Sequence, residues 1–182
     1  MTELAPDDIV RPLLRVRQTR AFSDAPVDPE ALDAIADAAR WSGSSRNVQP
    51  WRFIVVRSRE TLAAIANAGM PQTRALATAT AAVAIAMPVE PGSGISHAYD
   101  EGRAAERILV AASLLGLGAG IAWIRSEVRP GIGASLGLPD DRFVRTIVAI
   151  GHASDEGAQP KSAPGEARLP RRATVMPERW RD

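Results

Sequence analysis

The chain has 182 residues, 46% hydrophobic and 24% charged, which is enough for one domain with a real core and too apolar for wholesale disorder. A formal net charge of +1 lacks the basic excess of a dedicated nucleic-acid binder. Cysteine is absent, which excludes disulfides, thiolate chemistry and Cys-ligated metals, and two histidines, His97 and His152, are too few for a His-rich metal site.

The opening MTELAPDDIVRPLL carries early acids and no long apolar core, so it does not read as a secretory signal. Residues 7–17 read as a helix capped by Asp7 or Asp8, with Ile9, Leu13, Leu14 and Val16 on its apolar side. Val27-Asp28-Pro29 opens a second helix with Leu32, Ile35, Ala36 and Ala39 at helical spacing, and Gly43 follows it. Trp51 to Val56 is β-branched and aromatic and predicts a strand; Arg59 to Ala68 predicts a short helix. Thr80 to Met87 is a small-residue strand closed by Pro88, and Pro91-Gly92-Ser93-Gly94 is a loop. Tyr99 to Leu115 makes the longest helix, with Ala105, Ile108, Leu109, Ala112 and Leu115 inward and Glu101, Arg103, Glu106 and Arg107 mostly outward. Ala119 to Ile124 predicts a strand, Val128 to Leu136 a helix ended by Gly137, and Phe143 to Ile150 a final strand.

Ile108 to Ile124 runs 17 residues without a charge, near the lower limit for a membrane span. It holds glycines and follows a charged helical stretch, so it reads as a buried helix turning into a buried strand. From Ser154 to Asp182 the chain is rich in Pro, Ala, Arg and Glu, with Leu169, Val175, Met176 and Trp180 widely spaced. Such spacing suits an arm docked on another surface better than a disordered tail. Helices first, then strands separated by helices, define an α+β fold with a sheet flanked by helices.

Arg15, Arg17 and Arg20 crowd the end of the first helix. Spacing alone allows a solvated helix end or a phosphate clamp. Ser44-Ser45-Arg46-Asn47-Val48-Gln49-Pro50-Trp51 gathers hydroxyls, amides and a guanidinium where a helix hands over to a strand, and it can satisfy a flat, polar-edged ligand or merely cap a turn. There is no triad or carboxylate dyad: Asp140-Asp141 and Asp7-Asp8 read as turn and cap residues, and His152 as structural. His97 and Tyr99 stand near the Gly-rich loop, where they can line an opening, and Trp41 and Trp51 read as packing residues, in the core or at an interface between two copies of the chain. Gly116-x-Gly118-x-Gly120 lacks the spacing of a dinucleotide-binding fingerprint.

Arg17-Gln18-Thr19-Arg20-Ala21-Phe22, then Pro26-Val27, then Ala38 to Phe53 with its Ser44-Ser45-Arg46-Asn47-Val48-Gln49-Pro50-Trp51, resemble the nitroreductase family of flavoproteins in order and separation. Leu115-Gly116-Leu117-Gly118, Ala149-Ile150-Gly151-His152 and Arg168-Leu169-Pro170 extend the likeness over nearly the whole chain. The resemblance implies a central mixed, mainly antiparallel sheet flanked by helices and a homodimer with FMN at the subunit interface, in which an extended C-terminal arm is exchanged. On this reading residues 1–153 form the FMN-binding domain and 154–182 its arm on the partner subunit, where each spaced apolar residue contributes about 1.5–3 kcal/mol if fully packed.

The resemblance also assigns the site. Arg17 and Gln18 lie at the phosphate and ribityl end, joined by Arg168. Arg20 points at the N1/O2 edge of the isoalloxazine. Ser44, Ser45 and Asn47 come from the partner, with Gln49 supporting the loop, and backbone groups around Ala122, Trp123 and Ile124 approach N5 and C4=O. The flavin N5 carries the hydride, so no catalytic side chain and no metal is required. NAD(P)H is the transient donor, by resemblance alone, and a nitroaromatic or quinone the acceptor, in a ping-pong route in the cytoplasm without membrane or nucleic-acid partners. Dehalogenation, flavin fragmentation or flavin sequestration are the rival activities, and NADH, NADPH and a deazaflavin donor stay open. The chain departs from the family pattern in four places: Gln18 stands where Ser is usual, Val16 where the first Arg is, Gly43 where Pro is common, and Glu166 where a basic residue precedes the late Arg. Arg15 and Lys161 are therefore the candidates to complete the phosphate site. The short stretch from Met87 to Tyr99 implies an open substrate channel.

Overall fold

Alternation in one strand decides how the layers pack. The computed structural model describes residues 5–89, 94–163 and 165–180, with the elements α1 (Pro6–Leu14), α2 (Pro29–Arg40), β1 (Arg52–Val56), α3 (Arg59–Ala68), β2 (Ala81–Pro88), α4 (Gly94–Leu114), β3 (Gly118–Trp123), α5 (Arg129–Ser135), β4 (Arg142–Gly151), α6 (Asp155–Ala158) and α7 (Arg171–Thr174). The strands form one sheet in the order β1-β2-β4-β3, and every neighbouring pair is antiparallel. In β2 the larger Val83, Ile85 and Met87 face α2 and α4, while Ala82, Ala84 and Ala86 face α3 and α5. Alanines on that second face let Leu62 and Ile65 of α3 and Ile132 of α5 close onto the backbone of the sheet. Central strands buried on both sides read as continuous apolar runs, as Ala81–Met87 does.

The expected elements are present with shifted ends. Asp28 caps α2, accepting from the Glu30 N–H at 2.9 Å with Pro29 in the first helical position. The uncharged stretch from Ile108 runs down α4, turns at Leu115–Leu117 and enters β3, as its glycines imply. No helix among the described residues is long and apolar enough to cross a membrane. The expected loop at 91–94 falls mostly outside the described residues, and Gly94 already belongs to α4.

The sheet is mainly antiparallel as expected, and among the described residues its parallel pairing is an isolated bridge between Gln18 and Ala119. Several other expectations are corrected. Helix α1 ends at Leu14 rather than at residue 17, and Ala5, not an aspartate, is its N-cap, because Pro6 takes the first helical position and leaves Asp7 and Asp8 in the first turn. None of its residues is buried: Ile9, Leu13 and Leu14 stand exposed. Leu115 is exposed too, beyond the end of α4. His97 is buried rather than lining an opening, while Tyr99 is exposed. Trp51 packs inside, its ring 6.0 Å from that of Phe53, but Trp41 is exposed beneath the Arg40 guanidinium.

Glu101, expected on the outer face of α4, is 2% exposed. Its Oε2 accepts from Arg145 Nε at 2.9 Å and also from Nη2, across 44 residues of sequence, and its Oε1 has no partner among the described residues. Helical periodicity cannot foresee a charge that turns inward to meet a strand. Glu101→Ala leaves a half-buried guanidinium without its carboxylate, and we expect a loss of about 3 kcal/mol, read as a lower urea midpoint at unchanged slope. A loss under about 0.5 kcal/mol, the range of ordinary surface substitutions, contradicts a structural role for the pair.

Candidate functional site

After α1 the chain leaves the helix, and Arg17 to Phe22 runs along the free edge of β3. Thr19 N–H donates to Ala119 O at 2.7 Å, and Ile121 N–H donates to Gln18 Oε1 at 2.7 Å. On the other side Ser154 N–H donates to Ala21 O at 3.1 Å, and Phe22 bridges Ala153. This segment covers an edge that otherwise exposes unpaired backbone groups. Two glycines admit it: a Cβ on Gly120 would lie 2.1 Å from Thr19 O, and one on Gly157 would lie 2.0 Å from Ala21 O. The glycines near β3, which lack the spacing for a dinucleotide, thus serve a close backbone approach. Arg17 and Arg20 lie on this extended segment and not at a helix terminus.

The segment turns its polar side chains into a chain of cavities. Arg17, Gln18 and Arg20 line one of about 320 Å³ together with Lys161 and Arg168. Arg20 also lines a second, of about 340 Å³, with Gln72, Arg74, Ile121 and Trp123. Arg17 reaches a third, of about 240 Å³, with Arg15. Among the described residues no aspartate or glutamate lines any of the three. Arg17 Nη2 donates to Ala158 O at 3.1 Å, which fixes the guanidinium against α6. Gln18 commits its carbonyl to Ile121, so its amide NH2 is the end that can donate into the cavity. Gln72 lines the second cavity, and its Oε1 is buried without a partner among the described residues.

Ser44 to Trp51 forms a separate structure at the far end of α2. Ser45 to Asn47 make one 3-10 turn, and Arg46, Asn47 and Gln49 have φ of 50°, 57° and 50°. Gln49 N–H donates to Ser44 Oγ at 2.9 Å, and Gln49 Nε2 donates to Asn47 Oδ1 at 3.2 Å. Ser45 N–H donates to both oxygens of Asp100. None of Ser44, Ser45, Asn47 or Gln49 lines the three cavities. Within one subunit the arginines, Gln18 and Arg168 therefore come together, and the loop does not join them.

At the end of β3 the predicted backbone positions divide. Trp123 is exposed at the second cavity, whereas Ala122 turns its side chain into the core. Ile124 is buried, its N–H donating to Arg145 O at 2.7 Å and its carbonyl accepting from Arg129 Nε at 3.2 Å, so its backbone groups are spent inside the subunit. Burial, with the nearby Arg145 charge adding to it, lowers the pKa of the Arg129 guanidinium, which lies 5.2 Å over the Phe143 ring. His152 is exposed outside the cavities, and its carbonyl accepts from Ser23 N–H at 2.9 Å.

Three residues of the site are not apparent from sequence. Gln72 and Arg74 sit in a turn with no repeating pattern, and only the fold brings them beside Arg20. Asp100 looks like one more charge on an amphipathic helix, yet it is 3% exposed and bonded to the loop.

An α+β sheet thus carries a cationic groove along its covered edge. The nitroreductase family model matches residues 15–152, and the chain belongs to that family. It is 32% identical over 149 residues to a protein of Archaeoglobus fulgidus provisionally named NADH dehydrogenase/NAD(P)H nitroreductase, spanning 77% of this chain and 82% of the relative. Among solved structures, an FMN-dependent nitroreductase from Clostridium difficile R20291 superposes with a TM-score of 0.78 at 26% identity, covering 93% of this chain and 98% of the other. Nitroreductase A from Vibrio parahaemolyticus shares the fold, with a TM-score of 0.78 at 22% identity over 95% of this chain and 77% of the other.

The first cavity is expected to bind inorganic phosphate in the ligand-free protein. At ten times its dissociation constant, phosphate stabilises by about 1.4 kcal/mol, visible as a thermal shift. Arg17→Ala and Arg168→Ala should each abolish most of that shift, while Arg40→Ala, outside the groove, should keep it. An equal shift in all the proteins contradicts the assignment.

Proposed function

We propose that the chain is an FMN-dependent NAD(P)H oxidoreductase that works as a homodimer in the cytoplasm. The observation that carries this reading is the run of cations from Arg15 to Arg74 with no carboxylate among the described lining residues. A flavin mononucleotide suits that run, since its phosphomonoester brings about −1.5 to −2 charges.

Arg17, Lys161 and Arg168 hold the phosphate, with Arg15 alongside, and the Gln18 amide donates to the ribityl end. Arg20, shared by both cavities, places a fixed positive charge at the N1/O2 edge, where it stabilises the reduced anionic ring and raises its affinity for electrons. Ala122, Trp123 and the neighbouring Ile121 form the wall at the N5 and C4=O edge, and Ile124 anchors that wall from within. Ser44, Ser45 and Asn47 of the partner subunit close the site, with Gln49 of the partner subunit supporting their loop. FMN held by these residues would supply the two-electron chemistry that couples oxidation of NADH or NADPH to reduction of a nitroaromatic or quinone acceptor. Donor and acceptor use one open face in turn, which makes the kinetics ping-pong. The residues of this chain bind, orient and supply charge, and none is assigned a proton-transfer step.

The surface supports a dimer. Ile9, Leu13 and Leu14 of α1 stand exposed, as do Leu114 and Leu115, and Leu13 and Leu114 share a mostly apolar groove with Ala38, Val110 and Ala111 that Glu106 and Arg107 flank. In the arm from residue 154 onward, Lys161 and Arg168 line the cavity of their own subunit, whereas Leu169, Val175 and Trp180 are exposed and suit packing on the partner.

Purified protein is expected to be yellow, to release FMN on heat denaturation, and to oxidise NADH or NADPH with menadione or nitrofurazone. Arg20→Ala should weaken FMN binding or lower the flavin potential. An FMN-loaded dimer that turns over neither donor sinks the oxidoreductase reading, and wild-type affinity and potential in Arg20→Ala remove Arg20 from the ring edge.

A further inference from the structure

The Ser44–Trp51 loop holds a shape that its sequence does not favour. Arg46, Asn47 and Gln49 all occupy the left-handed region, with φ of 50°, 57° and 50°. Asn tolerates that region, but Arg and Gln are strained there and stay only where the surroundings over-determine them. Ser45, Arg46, Asn47, Val48 and Gln49 are exposed, so the constraint comes from the ends of the loop.

At the far end Arg142 Nη1 donates to Pro50 O at 2.9 Å, and Arg52 Nη1 donates to Gln49 O at 3.3 Å. At the near end the anchor is Asp100 of α4. Both its oxygens accept from Ser45 N–H, at 3.1 and 3.2 Å, and the residue is 3% exposed. One turn along the same helix, the Arg103 guanidinium lies over Gly43, where a Cβ would come within 2.3 Å of Nη2. Helix α4 thus grips the loop by a buried carboxylate on Ser45 and a guanidinium over the bare glycine two residues before it. The charge-assisted bond is made to a backbone N–H, so it does not consume the side chains of the exposed Ser45 and Asn47.

We infer that Asp100 is a positioning residue: it touches no ligand, fixes the strained loop before a ligand arrives, and through that loop sets flavin affinity in the partner subunit's site. This rests on the FMN reading above. Its value is preorganisation, since a loop already held in the bound shape loses less freedom on binding.

The test compares wild type, Asp100→Ala and Asp100→Asn as full-length dimers. Hydrogen exchange at residues 44–49 is measured without flavin, and FMN affinity by fluorescence quenching. Asp100→Ala should speed exchange at the loop alone and raise the FMN dissociation constant about tenfold, the effect of losing one charge-assisted hydrogen bond. Asp100→Asn, which keeps an acceptor oxygen, should restore most of both. Unchanged loop exchange in Asp100→Ala overturns the inference. So does faster exchange spread evenly over α4 and β4 with FMN loss tracking the urea midpoint, and so does an Asn variant as poor as the Ala variant. Wild type that takes up no FMN fails the functional reading and this inference with it. Wild type that binds FMN beside an unaffected Asp100→Ala fails the inference alone.

Discussion

The backbone from Gln18 to Ala21 lies between two glycines, Gly120 on β3 and Gly157 on α6, at separations that no Cβ permits. The site rests on that threading. It caps the edge of the sheet, commits the Gln18 carbonyl to Ile121, and sends Arg17 and Arg20 in adjoining directions from one extended segment. From this extended run Arg17 and Arg20 share one cavity, and each reaches a further one on its own side.

Charge segregation follows from the same geometry. The chain is nearly neutral overall, yet Arg15, Arg17, Arg20, Arg74, Lys161 and Arg168 line one groove with no acid among its described lining residues. Several carboxylates are engaged elsewhere: Glu101 with Arg145, Asp100 with the loop, Asp24 with Arg59 and Asp37 with Arg40. Fixed cations in a groove attract a multiply charged anion without rearrangement. Lys161, on the arm, brings charge where Val16 and Glu166 do not.

Much of the fold is legible in the chain because local rules and tertiary structure agree there. Thr80–Met87 reads as a buried strand by its small and β-branched residues, and α2 by Asp28-Pro29. The loop and the Arg17–Phe22 segment stand out by residue type, since side chains so polar at a helix-to-strand junction ask for a ligand. What the sequence hides depends on long-range partners. Glu101 turns inward because Arg145 waits on another strand; Gln72 and Arg74 join Arg20 only through the sheet; Asp100 gains its meaning from Ser45. The exposed apolar side of α1 looks in sequence like any core-facing helix, because periodicity marks an apolar face and not what lies against it.

Division of the proposed site between two subunits accounts for a loop that is shaped but lies outside the cationic groove of its own chain. Subunit complementation tests that division most directly. One variant carries Arg17→Ala and Arg20→Ala, the other Ser45→Ala and Asn47→Ala; each homodimer should fail to retain FMN. Mixed and allowed to exchange, half the dimers pair one of each and rebuild one intact site, so about a quarter of the wild-type flavin should return. No recovery from a mixture shown to contain heterodimers, or full FMN retention by the loop variant alone, contradicts the account.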